Sequence, residues 1–206
     1  MKIIRNIKVL SLLFSTVIIL NACGTDAHRI DPDSNNSLIT VHDINVKDWQ
    51  IAAQKGVNSL LASGVLNQEN GRKTIVMVST IKNSTTQHIN TRILTDKIRQ
   101  AILHSGKALT TTAVGGKGAD DSATRQVRKL ENDDLFNQKT VQEHETAIAP
   151  DMSLSGEIVQ QNTETGRKRE SYFVFHMALT DLKTGLALWE ENIEIVKQDE
   201  KPLVGW

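Results

Sequence analysis

The chain has 206 residues whose 24 basic and 24 acidic side chains balance, with 39% hydrophobic and 4% aromatic residues. That balance provides no basic footprint for nucleic acid. One cysteine in the whole sequence excludes a disulfide framework within the chain and a site built from several thiolates.

Lys2, Arg5 and Lys8 precede an apolar run from Val9 to Leu20, which suits a secretory leader and is too short to span a bilayer. The run closes on Leu20-Asn21-Ala22-Cys23. Small Ala22 gives a signal peptidase access to the bond, and the Cys23 thiolate is nucleophilic enough to take a diacylglycerol group as a thioether. The stretch resembles the bacterial lipobox. Residues 1–22 are therefore expected to be removed and Cys23 to be lipidated. Gly24, where an inner-membrane retention signal would place Asp, implies the periplasmic side of the outer membrane. With the leader go three bases and no acid, so the mature chain is slightly acidic.

Residues 23–37 are expected to form a lipidated tether, because Gly24 to Ser37 contains one isoleucine among polar, proline and turn-forming residues. Such a tether reaches about 50 Å drawn out and roughly 20 Å on average as a coil. The remainder, 38–206, has the length of one globular domain.

Leu38 to Val41 reads as an edge strand, followed by a helix from Trp49 to Ala62 capped by Asp48 and ended by Gly64. Trp49 at the helix start suits a lid on the core. Ile75-Val76-Met77-Val78, apolar at consecutive positions, predicts a central strand covered on both sides, and Asn83-Ser84-Thr85 a turn. Asn90 reads as the cap of a helix with Leu94, Ile98, Ala101 and Ile102 buried, stapled by Ile89 and Leu94 and ended by Gly106. Ala108 to Val114 is β-prone, and the glycines from Gly115 to Gly118 form a hinge that lacks the Ser or Thr of a phosphate loop.

Asp121 or Ser122 caps a further helix through Ala123, Val127 and Leu130, and Val141, Glu145 and Ile148 mark a shorter one before Pro150. From Ser153 the apolar period becomes two. Leu154, Gly156 and Ile158 lie on one strand, Phe173, Phe175, Met177 and Leu179 on the next (Glu170 to Thr180), and Trp189, Ile193 and Ile195 on the last (Leu186 to Val196). A turn at Asp181 to Gly185 joins the last two into the end of an antiparallel meander.

Candidate chemistry is sparse. Ser79 and Lys82 match the SxxK spacing, and Lys183-Thr184-Gly185 the KTG triplet, of serine penicillin-recognising enzymes. However, Ser79 and Lys82 fall at a strand end, where residues three apart face opposite ways, and the triplet falls in a turn. His144-Glu145 lacks a second histidine, and Asp133-Asp134 reads as solvated charge. No catalytic residue, metal ligand set, cofactor or small-molecule substrate is assigned.

The order of Asp48-Trp49, a strand ending in Asn83-Ser84-Thr85, a helix ending in Ser105-Gly106-Lys107, Leu154-Ser155-Gly156-Glu157, and Leu182-Lys183-Thr184-Gly185-Leu186-Ala187-Leu188-Trp189 resembles the LpoB family. Members of that family are outer-membrane lipoproteins that activate bifunctional class A penicillin-binding proteins. The resemblance implies an α/β domain of the TolB N-terminal-like type, a mixed, mainly antiparallel sheet with helices packed on it. It also implies a penicillin-binding protein as partner and no enzyme activity. Asn83 and Thr85 match the family pattern in the loop after the central strand and are the candidate partner-binding residues. An alternative stays open: a lipoprotein of related fold serving an outer-membrane secretion or appendage-assembly system. This tether is short, with Pro32 as its one proline, where the best-known member of the family has a long Pro-rich one. Ala149-Pro150-Asp151-Met152 also departs from the family's Gly-Ala-Asp-Tyr-like approach to the third strand.

Stable anchoring needs at least two acyl chains on Cys23, since one binds only marginally. Changing Cys23→Ser is expected to shift the protein from the membrane to the soluble fraction on cell fractionation. Retention after a salt wash would count against a lipid anchor at this residue.

Overall fold

The computed structural model describes residues 29–31, 34, 39–68, 71–115 and 121–201. The leader, Cys23, Leu38, most of the tether and the hinge glycines Gly116 and Gly118 lie outside the described residues. The chain divides into two units, Met1–Asn36 and Ser37–Trp206, and every element below belongs to the second.

Helix α1, Val46–Ala62, is opened by Asn45. The Asn45 side chain accepts from the amides of Lys47 (3.0 Å) and Asp48 (3.1 Å), and the Asp48 carboxylate accepts from the Asn45 amide (2.7 Å). This reciprocal box corrects the expectation that Asp48 is the cap: Asp48 sits three residues inside, where its carboxylate reaches back. The expected strand at Leu38 to Val41 is also absent from its described part. Residues 39–45 form a loop that bonds to side chains instead of a sheet edge.

Strand β1, Thr74–Ser84, is an interior strand, second from one edge of the sheet, and longer than its apolar core suggests. Helix α2, Arg92–Ser105, begins one residue after the expected point, with Thr91 in the cap position and making no side-chain bond. Asn90 still accepts from the Arg92 amide at 3.2 Å. Leu94, Ile98 and Ile102 are buried, and Gly106 stops the helix at φ 67°, a left-handed conformation that suits glycine.

Strand β2 is only Ala108–Thr110, shorter than the β-prone run to Val114. The Thr111 hydroxyl accepts the Ala113 amide (3.2 Å), a local bond that diverts the backbone from the ladder. Helix α3 is a single turn, Ala123–Gln126, continued by a 3₁₀ turn Val127–Leu130; Asp121 accepts the Ala123 amide at 2.8 Å. The helix expected around Val141, Glu145 and Ile148 does not form: Glu145 has φ 60° and Ile148 is 70% exposed. A segment so short, with no face to bury, cannot offset the cost of helix nucleation.

Strands β3 (Met152–Thr165), β4 (Lys168–Asp181) and β5 (Ala187–Glu200) complete a five-stranded sheet in the order β2-β1-β3-β4-β5. β1 is parallel to β2 and β3, and the β3-β4-β5 meander is antiparallel. The fold is thus the mixed, mainly antiparallel α/β arrangement expected. Helix α1 lies on β5 and helix α2 on β1 and β2, with the two helices against each other. Under them lie Val76, Val78, Ile81, Leu154, Ile158, Phe173, Phe175, Met177, Leu179 and Ile193. Burying each large side chain contributes about 1.5–3 kcal/mol. Trp49 closes this core, edge-on to Phe175 at 6.0 Å between ring centroids. Gly156 stands close against the β4 backbone, since a Cβ there would come within 2.7 Å of the His176 carbonyl oxygen.

Asp151 fastens the start of β3. Its carboxylate accepts from the Ile75 amide (2.9 Å) and pairs with Arg72 (2.6 Å), while its own amide donates to the Ile75 carbonyl (2.8 Å). Partial burial pushes its pKa up, but the Arg72 guanidinium and the Ile75 amide outweigh this and hold it below the ordinary 3.8. A depressed folded-state value means stabilisation that is full above the unfolded pKa and lost as pH falls through the folded one. Asp151→Ala is therefore expected to lower neutral-pH stability by about 1–2 kcal/mol. In urea melts across a pH series, the gap from the parent should close in the acid range below 3.8. A gap that stayed constant in acid would show that the charge is not what stabilises.

Candidate binding surface

The end of β1 and the turn that follows it bring Asn83 and Thr85 together. Asn83 Oδ1 accepts from both the amide (3.0 Å) and the hydroxyl (2.8 Å) of Thr85, and Asn83 Nδ2 donates to the Gln87 carbonyl at 2.7 Å. The Thr85 hydroxyl in turn accepts the Gln87 amide at 3.1 Å. Both side chains are half-buried and their polar atoms are engaged within the loop, so they set its shape. Ser84, Thr86, His88 and Asn90 are the exposed positions that the shape presents.

A second layer fastens this loop to the segment before α1. The Gln87 amide nitrogen donates to the His42 carbonyl, and its oxygen accepts the Ile44 amide at 3.1 Å. His42 Nδ1 meets the Ser171 hydroxyl at 2.9 Å, and that hydroxyl donates to Asn162 at 2.7 Å. Beneath lies an ion pair that pattern reading of the sequence missed. Lys197 Nζ stands 2.5 Å from Asp48 Oδ2, with both side chains 7% exposed. The ammonium also donates to the Asp43 carbonyl (2.7 Å) and lies 5.7 Å from the Phe173 ring centroid. The signal was present in the parity of β5: Lys197 continues the inward row of Ile193 and Ile195.

Two grooves flank segment 39–45. One, of about 430 Å³, is lined by Ile44, Trp49, Gln87, Ile89 and Ile93 among others. The other, of about 590 Å³, runs between residues 39–43 and the Val196–Asp199 end of β5 beside Arg169.

The motif matches are placed apart from any such chemistry. Ser79 Oγ lies 2.7 Å from Ser153 Oγ, whereas Lys82 pairs with Glu157 at 2.9 Å. The Ser84 hydroxyl, then Lys82, hold the Glu157 carboxyl below its usual range. Lys183 and Thr184 cap the β4–β5 turn through Asp181, whose pKa is lowered first by the Lys183 amide and then by the Thr184 hydroxyl. His144 pairs with Glu131 in an exposed loop, and Asp133 accepts the Leu135 amide. His176 is half-exposed and bonded to Asn192 at 2.9 Å. Among the described residues no three His, Cys, Asp or Glu side chains gather as a metal site, and no helix is long and apolar enough to cross a membrane.

The family model described as peptidoglycan-synthase activator LpoB matches residues 48–195. No curated protein matches significantly. Among solved structures, the LpoB C-terminal domain from Escherichia coli aligns at 15% identity and TM-score 0.40, over 72% of this chain and 98% of that one. The LpoB C-terminal domain from Salmonella enterica aligns at 14% identity and TM-score 0.42, over 72% and 98%. Lipoprotein GNA1162 from Neisseria meningitidis aligns at 12% identity and TM-score 0.34, over 61% and 83%.

Lys197→Met leaves the Asp48 carboxylate buried without its cation and is expected to destabilise the domain by about 3–5 kcal/mol. Adding Asp48→Asn, which keeps an acceptor for the Asn45 amide, is expected to return more than half of that loss. Urea unfolding of the two single variants and the double variant measures the coupling, and simple additivity would disprove it.

Proposed function

The chain belongs to the LpoB family of peptidoglycan-synthase activators, and on that premise we propose that it binds and activates a bifunctional class A penicillin-binding protein from the outer membrane, anchored through lipidated Cys23. The observation that carries this reading is the family match over residues 48–195, which covers nearly all of α1, all of α2, α3 and β1 to β4, most of β5, and the candidate loop. The domain acts by binding. To activate a synthase it must hold the active conformation more tightly than the resting one, because a ligand shifts an equilibrium only by its differential affinity.

The contact assigned by this proposal is the loop after β1 together with the groove lined by Ile44, Trp49, Ile89 and Ile93. Asn83 and Thr85 hold the loop, and exposed Thr86, His88 and Asn90 meet the partner. Such a preformed surface loses little ordering entropy on docking. The short tether of residues 23–37 then places the domain near the membrane, with the synthase extending toward it.

The test is to add the purified full chain, in mild detergent, to a class A synthase from the same cells and follow glycan polymerisation and peptide cross-linking. A coupling of about 1–3 kcal/mol is expected to raise activity roughly 5- to 150-fold. Asn83→Ala and Thr85→Ala, each checked for intact folding, are expected to reduce that gain by releasing the loop. If the parent chain neither binds nor changes either rate, the activator reading fails; if the variants activate like the parent, only the assigned face fails.

A further inference from the structure

The two edges of the sheet differ. On one side β2 has 3 residues; on the other β5 runs for 14 and pairs with β4 alone. Among the described residues no backbone bond reaches the outer side of β5. An unpaired edge of this length is a template for another strand unless something blunts it. Among the described residues, a bulge and an inward-turned lysine blunt its two ends, while between them the charges of Glu190, Glu191 and Glu194 oppose only a strand that is itself acidic. At one end Leu188 is the extra residue where the register shifts between Leu179↔Trp189 and Thr180↔Ala187. At the other end Lys197 turns inward to Asp48. Between them Trp189 to Val196 pairs regularly with Leu179 to Tyr172, and its outer side is open.

Charge singles out the same stretch. At the guarded end, Asp199 and Glu200 pair with Arg169 and Arg167. Among the described residues, no cation lies within ion-pair distance of Glu190, Glu191 or Glu194. Glu191 accepts the Ser59 hydroxyl and Glu194 bonds the Tyr172 hydroxyl, so both carboxylates are held in place by neutral donors. A groove of about 410 Å³, lined by Lys55, Ser59, Glu191, Asn192, Ile193 and Glu194, lies between α1 and this edge.

We infer that Trp189 to Val196 is a strand-addition site for an extended segment of the partner protein that carries basic side chains at alternate positions. Main-chain bonds to the open side of β5 supply affinity, and side chains selected by the two-residue period supply specificity. On the helix-free face the basic residues stand beside Glu190 and Glu194; on the other face the intervening side chains enter the groove beside Ile193. A second copy of this chain is a poor occupant. Antiparallel self-pairing about Asn192 sets Glu190 of each copy opposite Glu194 of the other, and directly opposed like charges destabilise a ladder. For the identity of its partner, the synthase, this inference rests on the activator reading.

The experiment uses the full chain in mild detergent, hydrogen exchange of β5 read by mass spectrometry, and two synthetic peptides, one alternating lysine with valine and one alternating glutamate with valine. The lysine peptide is expected to slow exchange in Trp189 to Val196 and the glutamate peptide to leave it unchanged. In the double variant Glu190→Lys, Glu194→Lys, the lysine peptide is expected to bind roughly 2- to 30-fold more weakly. No protection of β5 at saturating lysine peptide, protection elsewhere only, binding unaffected by charge reversal, or concentration-dependent protection without peptide would each overturn the site. Synthase binding by the parent and the double variant is measured in parallel. A parent that binds the synthase while charge reversal changes nothing defeats the strand-addition site and leaves the activator reading standing. A parent that protects β5 with peptide yet ignores the synthase does the reverse.

Discussion

Strand β4 turns Phe173, Phe175, Met177 and Leu179 into the core and Tyr172, Val174, His176 and Ala178 out of it, and the neighbouring strands inherit that parity through their register. A slip of one residue would move the whole apolar row to the solvent side, so the register is strongly specified. Both helices must then present a single apolar stripe to the same face, as Ala52, Val57 and Leu60 do from α1 and Leu94, Ile98 and Ile102 from α2. Gly156 belongs to the same constraint, because the strands approach too closely there for a side chain.

Toward one end of the sheet the inward row changes character. Asn162, Ser171 and Lys197 stand side by side on adjacent strands in line with the apolar row, with Asn83 and Gln160 nearby in the same network. Ser171 and Lys197 are too polar to be buried alone, while Asn83 and Gln160 are half-buried and Asn162 is exposed. Together they take hydrogen bonds from, or give them to, His42, Asp43 and Gln87 on the loops above and Asp48 in the first turn of α1. The polar end of the core therefore fixes the segment before α1 and the loop after β1, and a loop held in this way can present a defined surface.

An activator of a synthase needs shape at its contact more than it needs reactive groups. Ser79 is engaged by Ser153 and Lys82 by Glu157, a pairing of neighbours across strands that serves the sheet. The surface proposed for a partner consists of the β1–α2 loop with its groove and of the open outer side of β5, where Glu190, Glu191 and Glu194 have no cation within ion-pair distance among the described residues, although Lys55 lines the groove between α1 and this edge. The buried Asp48–Lys197 pair joins α1 to β5.

The alternation of β4, the stripe of α2 and the stop at Gly106 were legible in the sequence, because such periods depend on residues a few positions apart. The ordered short motifs from Asp48-Trp49 to the Leu182–Trp189 hairpin also carried the family. The turn read at Asn83-Ser84-Thr85 begins only at Thr85, because Asn83 and Ser84 still pair with Ile158 and Val159 as the last residues of β1. Tertiary structure decided what local pattern leaves open: Asn45 rather than Asp48 caps α1, residues 39–41 pair with no strand, and no helix forms around Glu145. It also joined Lys197 to Asp48 across 149 positions of sequence. Neither residue's neighbours specify that meeting. It follows from the register of β5 on β4 and the seating of α1, which exist only once the sheet and its helices have packed together.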